Sequence, residues 1–499
     1  MDKVKDYKNP ISEHIFIFPF SWKSGSQLPE RLFYPHIALK RKHFEHLKHW
    51  EIQYSTIEDD QDYNEFVYFY KPIRSALYTF ENQPLIVKNY IFKSLDETQF
   101  FKMQVEEKEY VLSMKQIRLK LYKTGIGLLF FELQNPTYKD LEDIEAINSF
   151  SKMIYPPLLP LDKAKSECFP EAISIRLNRT TYVEELFKAD YYKESLAISP
   201  LIMFILGEPF VCKEKKGLPG GIIIEPIFGN QMFCCCIYQN PHFIQGIEQG
   251  EIQQECLERF MTLNKKRSYS GSCSYIKNDY SLYGINRFML LCITKEWVEG
   301  KLYNQLVTLI LMQRATLLSL STEIARISTL PKYELADAIS SIYEIYIQFI
   351  NQLYFKEVTE DGEGARIYEE LSRAFKIEEE LSQLDFEVDE VHEYATLVEQ
   401  AASNIKVQLL TIAGAALVLP SFVTGFFGMN IFKEEAGHWW EHRQVTLWLN
   451  SYVLLPILVV IILCTWTKRK EIRYLAMKLV LIGMLLLSTI ITLKCGCGL

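Results

Sequence analysis

A stripe of small and polar residues lies in an apolar stretch near the C-terminal end of the chain. Its members recur at alternating steps of three and four residues, which places them on one face of a helix: Asn404, Val407, Thr411, Gly414, Val418, Ser421, Gly425 and Gly428. Lipid disfavours an amide such as that of Asn404, and small residues often mark close contacts between membrane helices. The face therefore either lines a pore or packs tightly against other helices.

No group of reactive side chains elsewhere in the sequence suggests catalysis. The chain has nine histidines, and no Ser/His/Asp, Cys/His or paired-carboxylate arrangement stands out. The basic loop "CKEKKGLPGG" lacks the spacing and the Ser/Thr of a Walker loop, so we interpret it as a solvated surface loop. Cys234, Cys235 and Cys236 are adjacent, alternate between the faces of a strand and make a poor chelate. We expect the protein not to be an enzyme.

Length and composition limit the class of protein. The 499 residues are too many for one compact domain, and a net charge of -8 argues against a direct nucleic-acid partner. Eleven cysteines in so long a chain do not form a secreted disulfide framework. The short apolar run "HIFIFPF" near the N-terminus lacks the features of a signal peptide. We therefore expect the large N-terminal part to be cytoplasmic.

Two uncharged runs follow the soluble part of the chain, over 407–432 and 446–466. Each is long enough to span a bilayer as a helix. We predict a first transmembrane helix over 405–432, an external loop over 433–445 and a second transmembrane helix over 446–467. The basic cluster Lys468, Arg469 and Lys470 comes next, and such clusters stay on the cytoplasmic side.

The remaining residues, 468–499, contain a third apolar segment over 475–493. It spans the membrane with Lys478 reaching the interface, or it lies in the membrane plane or packs on the other helices. Cys495 and Cys497 near the chain end form a metal pair, carry a lipid or are plain tail residues, and we favour the last interpretation.

The cytoplasmic part divides into two patterns. Residues 1–296 predict a mixed α/β domain, because runs such as "IGLLFFEL" are rich in aromatic and aliphatic residues and "TGIG" is typical of a hairpin turn. Residues 297–404 predict helices, with a long stalk helix from about 365. A heptad seam runs along this stalk and on towards the membrane: Ala374, Ile377, Leu381, Leu384, Val388, Val391, Ala395, Val398, Ala402 and Ile405.

Another face of the predicted stalk is acidic. It carries Glu378, Glu379, Glu380, Glu387, Asp389, Glu390 and Glu393. Such a charge run is either a solvated face or a set of carboxylates that neighbouring subunits bring together, where divalent cations would relieve the repulsion.

The end of the first predicted transmembrane helix carries a specific tripeptide. Gly428-Met429-Asn430 follows Pro420 and Gly425, and Glu434 and Glu435 come directly after it. With the second apolar run and the basic cluster, this arrangement resembles the CorA superfamily of divalent-cation channels over roughly 300–470. The resemblance implies a homopentamer with a funnel-shaped α+β cytoplasmic domain, a long-helix stalk and C-terminal transmembrane helices.

The resemblance also assigns roles to residues along the pore. Mg²⁺ gives up its water shell reluctantly, so a ring of Asn430 amides would hold hydrated Mg²⁺, or another divalent cation, through hydrogen bonds at the outer mouth. Glu434 and Glu435 would raise the local cation concentration. The remaining assignments are an inner polar ring at Asn404, hydrophobic constrictions at Val407, Leu410 and Val418, and a hydroxyl at Ser421.

The enlarged cytoplasmic part points to one branch of this superfamily. The stretch over 115–148, "KQIRLKLYKTGIGLLFFELQNPTYKDLEDIEAIN", resembles the large-domain CorA-like proteins encoded beside type III CRISPR systems. That branch implies an alternative function: an effector activated by a nucleotide second messenger of the SAM-AMP type, which permeabilises the membrane in antiviral defence. Either function implies a multi-pass protein of the bacterial inner membrane that contacts lipid, divalent cations and copies of itself. The residues of a nucleotide pocket cannot be named from the sequence.

Overall fold

The computed structural model describes residues 10–24, 44, 47–81, 86–93, 99–154, 169–177, 180–187, 198–212, 221–227, 231–250, 274–298 and 300–428, and the single positions 483, 486 and 490. The chain divides into two compact units, Met1–His392 and Glu393–Leu499. The predicted boundary at 296 falls inside the first unit, because the helix that follows it packs on the sheet.

Fourteen strands of the described residues form one sheet. They are β1 (Ser12–Ser24), β2 (Trp50–Ile52), β3 (Val87–Phe92), β4 (Phe100–Val105), β5 (Lys108–Tyr122), β6 (Ile126–Asn135), β7 (Ala172–Leu177), β8 (Thr180–Glu185), β9 (Phe210–Cys212), β10 (Ile222–Pro226), β11 (Phe233–Gln239), β12 (Ser274–Lys277), β13 (Ser281–Asn286) and β14 (Met289–Thr294). The main order is β12-β13-β14-β11-β1-β6-β5-β4-β7-β8. β10 pairs with β1 and β9, and β3 joins β2 to β5.

Nine helices are described in the same residues. They are α1 (Asp60–Tyr68), α2 (Lys71–Leu77), α3 (Leu141–Phe150), α4 (Pro200–Leu206), α5 (Pro241–Glu248), α6 (Lys301–Ile327), α7 (Lys332–Gln352), α8 (Gly362–Phe375) and α9 (Ile377–Gly428). The described chain is therefore an α+β region followed by helices, as the sequence predicts. The homopentamer stays a prediction.

The centre of the sheet is the antiparallel group β1, β6 and β5. β5 and β6 join at the turn predicted from "TGIG", where Gly125 has a φ of 84° and its amide donates to the Tyr122 carbonyl. Gly127 faces the ring of Phe20, and a Cβ there would lie 2.3 Å from a ring carbon. Only glycine therefore allows the β1 aromatic to cross the start of β6.

The two faces of the sheet have different coverings. Alternate β1 side chains, Phe16, Phe18, Phe20 and Trp22, belong to one aromatic core with residues of α3, α4 and α5. Burying each such ring contributes about 1.5–3 kcal/mol. The opposite face is covered by α6, which packs on β1, β6 and β11. α6 is thus an integral part of the first unit.

The three consecutive cysteines lie in β11 and are buried, as is Cys292 on the parallel strand β14. Burial raises the pKa of the Cys235 thiol well above its usual value, so the thiolate form is disfavoured. Cys234 and Cys236 point into the aromatic core. The interpretation of this run as core packing agrees with the structure.

The stalk begins later than the sequence pattern indicates. α8 ends at Phe375, and Lys376 adopts the left-handed conformation with a φ of 55° before α9 begins at Ile377. The long helix predicted from about 365 is therefore two helices. The seam continues in register across the break, because Ala374 and Ile377 remain three residues apart.

Candidate functional site

α9 carries the predicted pore stripe as far as the structure describes it. Asn404, Thr411, Gly414, Ser421 and Gly425 are exposed in the chain. Val407, Leu410 and Val418 are also exposed, at 57%, 75% and 66% of their surface. At about 1.5 Å per residue, the face from 404 to 425 extends about 32 Å.

The described residues of the chain leave this face of α9 uncovered. The hydroxyl of Thr411 donates to the Val407 carbonyl at 2.9 Å, which satisfies it within the helix. A Cβ added at Gly414 or Gly425 would meet no atom within 4 Å. Large apolar side chains at Leu410 and Val418 stay exposed where a soluble protein would bury them.

The residues predicted to form the outer mouth lie beyond the part that the structure describes. Gly428 is the last residue of α9. Met429, Asn430, Glu434 and Glu435 fall outside the described residues, as do the predicted loop over 433–445 and the second transmembrane helix over 446–467. Only 483, 486 and 490 of the third segment are described. Among the residues with a described placement, no helix has both the length and the apolar character needed to cross a membrane.

The buried residues of the heptad seam lie at or before Ala395. Ile377, Leu384, Val388 and Ala395 are buried, whereas Ile405 further along is exposed. The seam positions near the start of α9 are therefore occupied by contacts of the chain itself.

Part of the acidic face is already engaged by neighbouring helices of the first unit. Arg314 of α6 places Nη1 2.7 Å from Oε1 of Glu380. The Ser321 hydroxyl of α6 donates to Glu387 at 3.3 Å. On the same turns of α9, Asp385, which is not one of the predicted acidic-face residues, accepts from the Tyr346 hydroxyl of α7. The sequence pattern does not reveal these contacts, because each joins residues 39 or more positions apart.

Within the described ranges, no group of three or more His, Cys, Asp or Glu side chains is arranged to hold a metal ion. The carboxylates that remain exposed on α9, including Glu378, Glu379 and Glu390, are spread along the helix.

A buried polar network links β1 to α3. The amide Oδ1 of Asn148 can only accept, so Nδ1–H of His14 donates to it at 2.7 Å and Nε2 of His14 accepts from the Ser12 hydroxyl at 2.8 Å. Burial lowers the pKa of His14 to about 4, and the Asn148 contact offsets this in part. The three side chains are fully buried, so the network stabilises the neutral imidazole in the core.

Comparison with known proteins shows a family similarity in the helical part of the chain. The model of the family described as CorA-like Mg2+ transporter protein matches residues 312–469, from within α6 to the basic cluster, and the sheet lies outside the match. No curated protein and no solved structure matches the chain. The region over 312–469 is therefore similar to this transporter family, as the resemblance around Gly428-Met429-Asn430 predicts.

Proposed function

We propose that the protein is a homo-oligomeric membrane channel for Mg²⁺ or a similar divalent cation. The observation that carries this proposal is the family match over 312–469, which contains the whole stripe from Asn404 to Gly428 and the tripeptide that ends at Asn430. In the proposed pentamer, five copies of α9 surround one axis and the stripe faces that axis.

The chemistry of the stripe suits a hydrated ion. Asn404 and Thr411 offer amide and hydroxyl groups that hydrogen-bond to water, while Val407, Leu410 and Val418 have no group that would replace the water shell. A ring of Asn430 amides at the outer mouth would recognise the hydrated ion without stripping it. The exposure of the stripe in the single chain is what this arrangement requires.

Gating in this proposal begins at the first turns of α9. The contacts to Glu380, Asp385 and Glu387 hold these turns against α6 and α7. α9 is one uninterrupted helix of 52 residues, so a change in these contacts alters a segment continuous with the stripe. A signal that favours release of the contacts would shift the closed–open equilibrium.

The proposal is tested by Mg²⁺ flux into liposomes that contain the purified full chain and a Mg²⁺-sensitive dye. Asn430→Ala removes the amide ring, and we expect the flux to fall at least about tenfold, the loss of about 1.4 kcal/mol of ion recognition. Asn351→Ala, at an exposed position of α7, is the matched control and should keep wild-type flux. Unchanged flux in Asn430→Ala refutes the pore assignment. If the wild-type protein gives no flux in any condition, the protein is instead a non-conducting scaffold anchored in the membrane.

A second candidate function rests on the size of the unmatched region. The whole sheet precedes residue 312 and lies outside the family match, so it is free to act as a sensor of a nucleotide second messenger that opens the channel in antiviral defence. This version predicts a nucleotide bound to the cytoplasmic part and toxicity only when the signal is present. Protein that binds no nucleotide, from a gene away from any CRISPR locus, would rule it out.

A further inference from the structure

A cavity of about 280 Å³ lies in the first unit where α8 ends. Four separate segments enclose it: the start of β11, the β13–β14 turn, the middle of α6 and the last residue of α8. Leu311, Arg314 and Leu318 recur on one face of α6 at steps of three and four, so one stripe of this helix forms a wall. The volume is close to the lower end of the range for small-molecule sites, about 300–1,000 Å³.

Most of the cavity wall is apolar and aromatic. Phe233 and Phe375 lie with ring centroids 5.8 Å apart, and both are buried. Phe288 of the β13–β14 turn is 38% exposed, which places an aromatic ring at the opening. Walls of this kind accept a flat aromatic body by stacking and edge contacts.

The charged groups at the cavity are mainly cationic. Arg287 is exposed on the turn, and among the described residues it has no hydrogen bond or ion pair. Arg314 is buried at the wall and contacts Glu380 through Nη1. Lys152 adds a third positive charge 5.3 Å from the Phe288 ring centroid. Glu380 offsets the charge of Arg314, and Arg287 keeps its own.

From this geometry we infer that the cavity binds a small organic anion that joins a flat aromatic body to a phosphate or carboxylate. The aromatic body lies among Phe233, Phe288 and Phe375. The anionic group lies between Arg287 and Arg314, where guanidinium groups donate charge-assisted hydrogen bonds. Such an anion and Glu380 share Arg314, so the two compete for one cation at the start of α9.

Isothermal titration calorimetry of the detergent-solubilised full chain with 1-naphthyl phosphate tests this inference. The heat measured when the ligand is titrated into detergent buffer without protein is subtracted from each titration. We expect saturable binding at one site per chain, with 1-naphthol and inorganic phosphate each binding at least about tenfold more weakly, because each lacks one half of the recognised chemistry.

Three variants assign the binding to the cavity. Arg287→Gln should weaken binding about tenfold, and Leu318→Trp should abolish it by filling the space. Glu380→Gln should strengthen binding several-fold, since it frees Arg314 from its competitor. Arg366→Gln, at an exposed position of α8, is the matched control and should leave the affinity unchanged.

Thermal unfolding of each variant confirms that it is folded before titration. Because Arg287 is exposed and makes no hydrogen bond or ion pair among the described residues, its replacement keeps the test valid even where Leu318→Trp fails to fold. Absence of saturable binding overturns the inference. So does binding that Arg287→Gln leaves unchanged, or binding that Glu380→Gln weakens.

Discussion

Arg314 and Glu380 form an ion pair between α6 and the first turn of α9, with 2.7 Å between Nη1 and Oε1. The arginine side chain is 8% exposed and the carboxylate is 33% exposed, so the cation is the more deeply buried partner. A buried charge is costly without its counter-ion. Removal of one partner should therefore cost more stability here than it would in an exposed ion pair.

We expect Glu380→Gln to lower the free energy of unfolding of the first unit by about 1–3 kcal/mol, because it leaves a buried guanidinium without a counter-charge. Thermal unfolding of the purified chain measures the change. Glu379→Gln, at the exposed neighbouring position, is the control and should shift the melting temperature little. Equal effects of the two variants would show that the ion pair does not anchor α9.

Lys120 predicts a pH dependence of stability. Its Nζ donates to the Leu77 carbonyl at 2.9 Å and to Gln305 at 3.3 Å inside the first unit. Burial, and then the nearby Arg118, lowers the pKa of Lys120 to about 7. The unfolded chain binds this proton up to its higher, ordinary pKa, so wild-type stability rises as the pH increases from about 7 towards 10.

Lys120→Met removes the buried ammonium and its cost. We expect the variant to melt at a higher temperature than wild type at pH 6.5, and the difference to shrink at pH 9.5, where wild-type Lys120 is neutral. Lys277→Met, at an exposed position on β12, should show no such change with pH. A difference that is constant between the two pH values contradicts the assigned pKa direction.

Lys376 lies in a conformation that favours glycine. Its φ of 55° and ψ of 43° end α8, and its amide donates to the carbonyls of Ser372 and Arg373. Lys376→Gly relieves the left-handed strain but gives the unfolded chain the extra freedom of a glycine. We expect the net effect to raise the free energy of unfolding by about 0.5–1 kcal/mol. Arg373→Gly, within α8, should do the opposite by about 1 kcal/mol. Chemical denaturation of the three proteins distinguishes the signs.

Glu434 and Glu435 predict an ionic-strength effect on transport. If their carboxylates concentrate cations at the outer mouth, Glu434→Gln with Glu435→Gln should reduce flux several-fold at low salt. The reduction should nearly vanish at about 1 M salt, where the screening length is about 3 Å. Liposome flux across a salt series measures it. A reduction of the same size at every salt concentration would indicate a direct role in ion binding.

Local sequence patterns predict several elements correctly. The "IGLLFFEL" run lies in β6, the "TGIG" turn joins β5 to β6, and the helices predicted after residue 297 include α6 and α7. These predictions succeed because strand composition and helical periodicity depend on residues close together in the sequence.

The break at Lys376 has no local signal. Lysine is common within helices, and the seam spacing continues from Ala374 to Ile377, so the periodicity remains helical. The central position of β1 is equally hidden, because its partner β6 begins more than 100 residues later. Long-range pairing decides both the sheet order and the burial of Arg314.

The spacing of the small and polar residues predicts the pore stripe, which stays a prediction. Its described members are exposed on α9, and so are Ile405 and Ile412 on other faces of the helix. The cavity beside Arg314 could not be predicted, because four distant segments enclose it. No single segment of the sequence contains enough of its wall to indicate a site.

The three cysteines of β11 provide a chemical reporter for each face of the sheet. Cys234 and Cys236 belong to the aromatic core, whereas Cys235 belongs to the opposite face, on which α6 packs. In a time course with a maleimide, with the alkylated cysteine assigned by fragmentation of the peptide in the mass spectrometer, early alkylation of Cys235 alone would record α6 lifting off an otherwise intact sheet. Simultaneous alkylation of all three would instead record cooperative melting of the whole first unit.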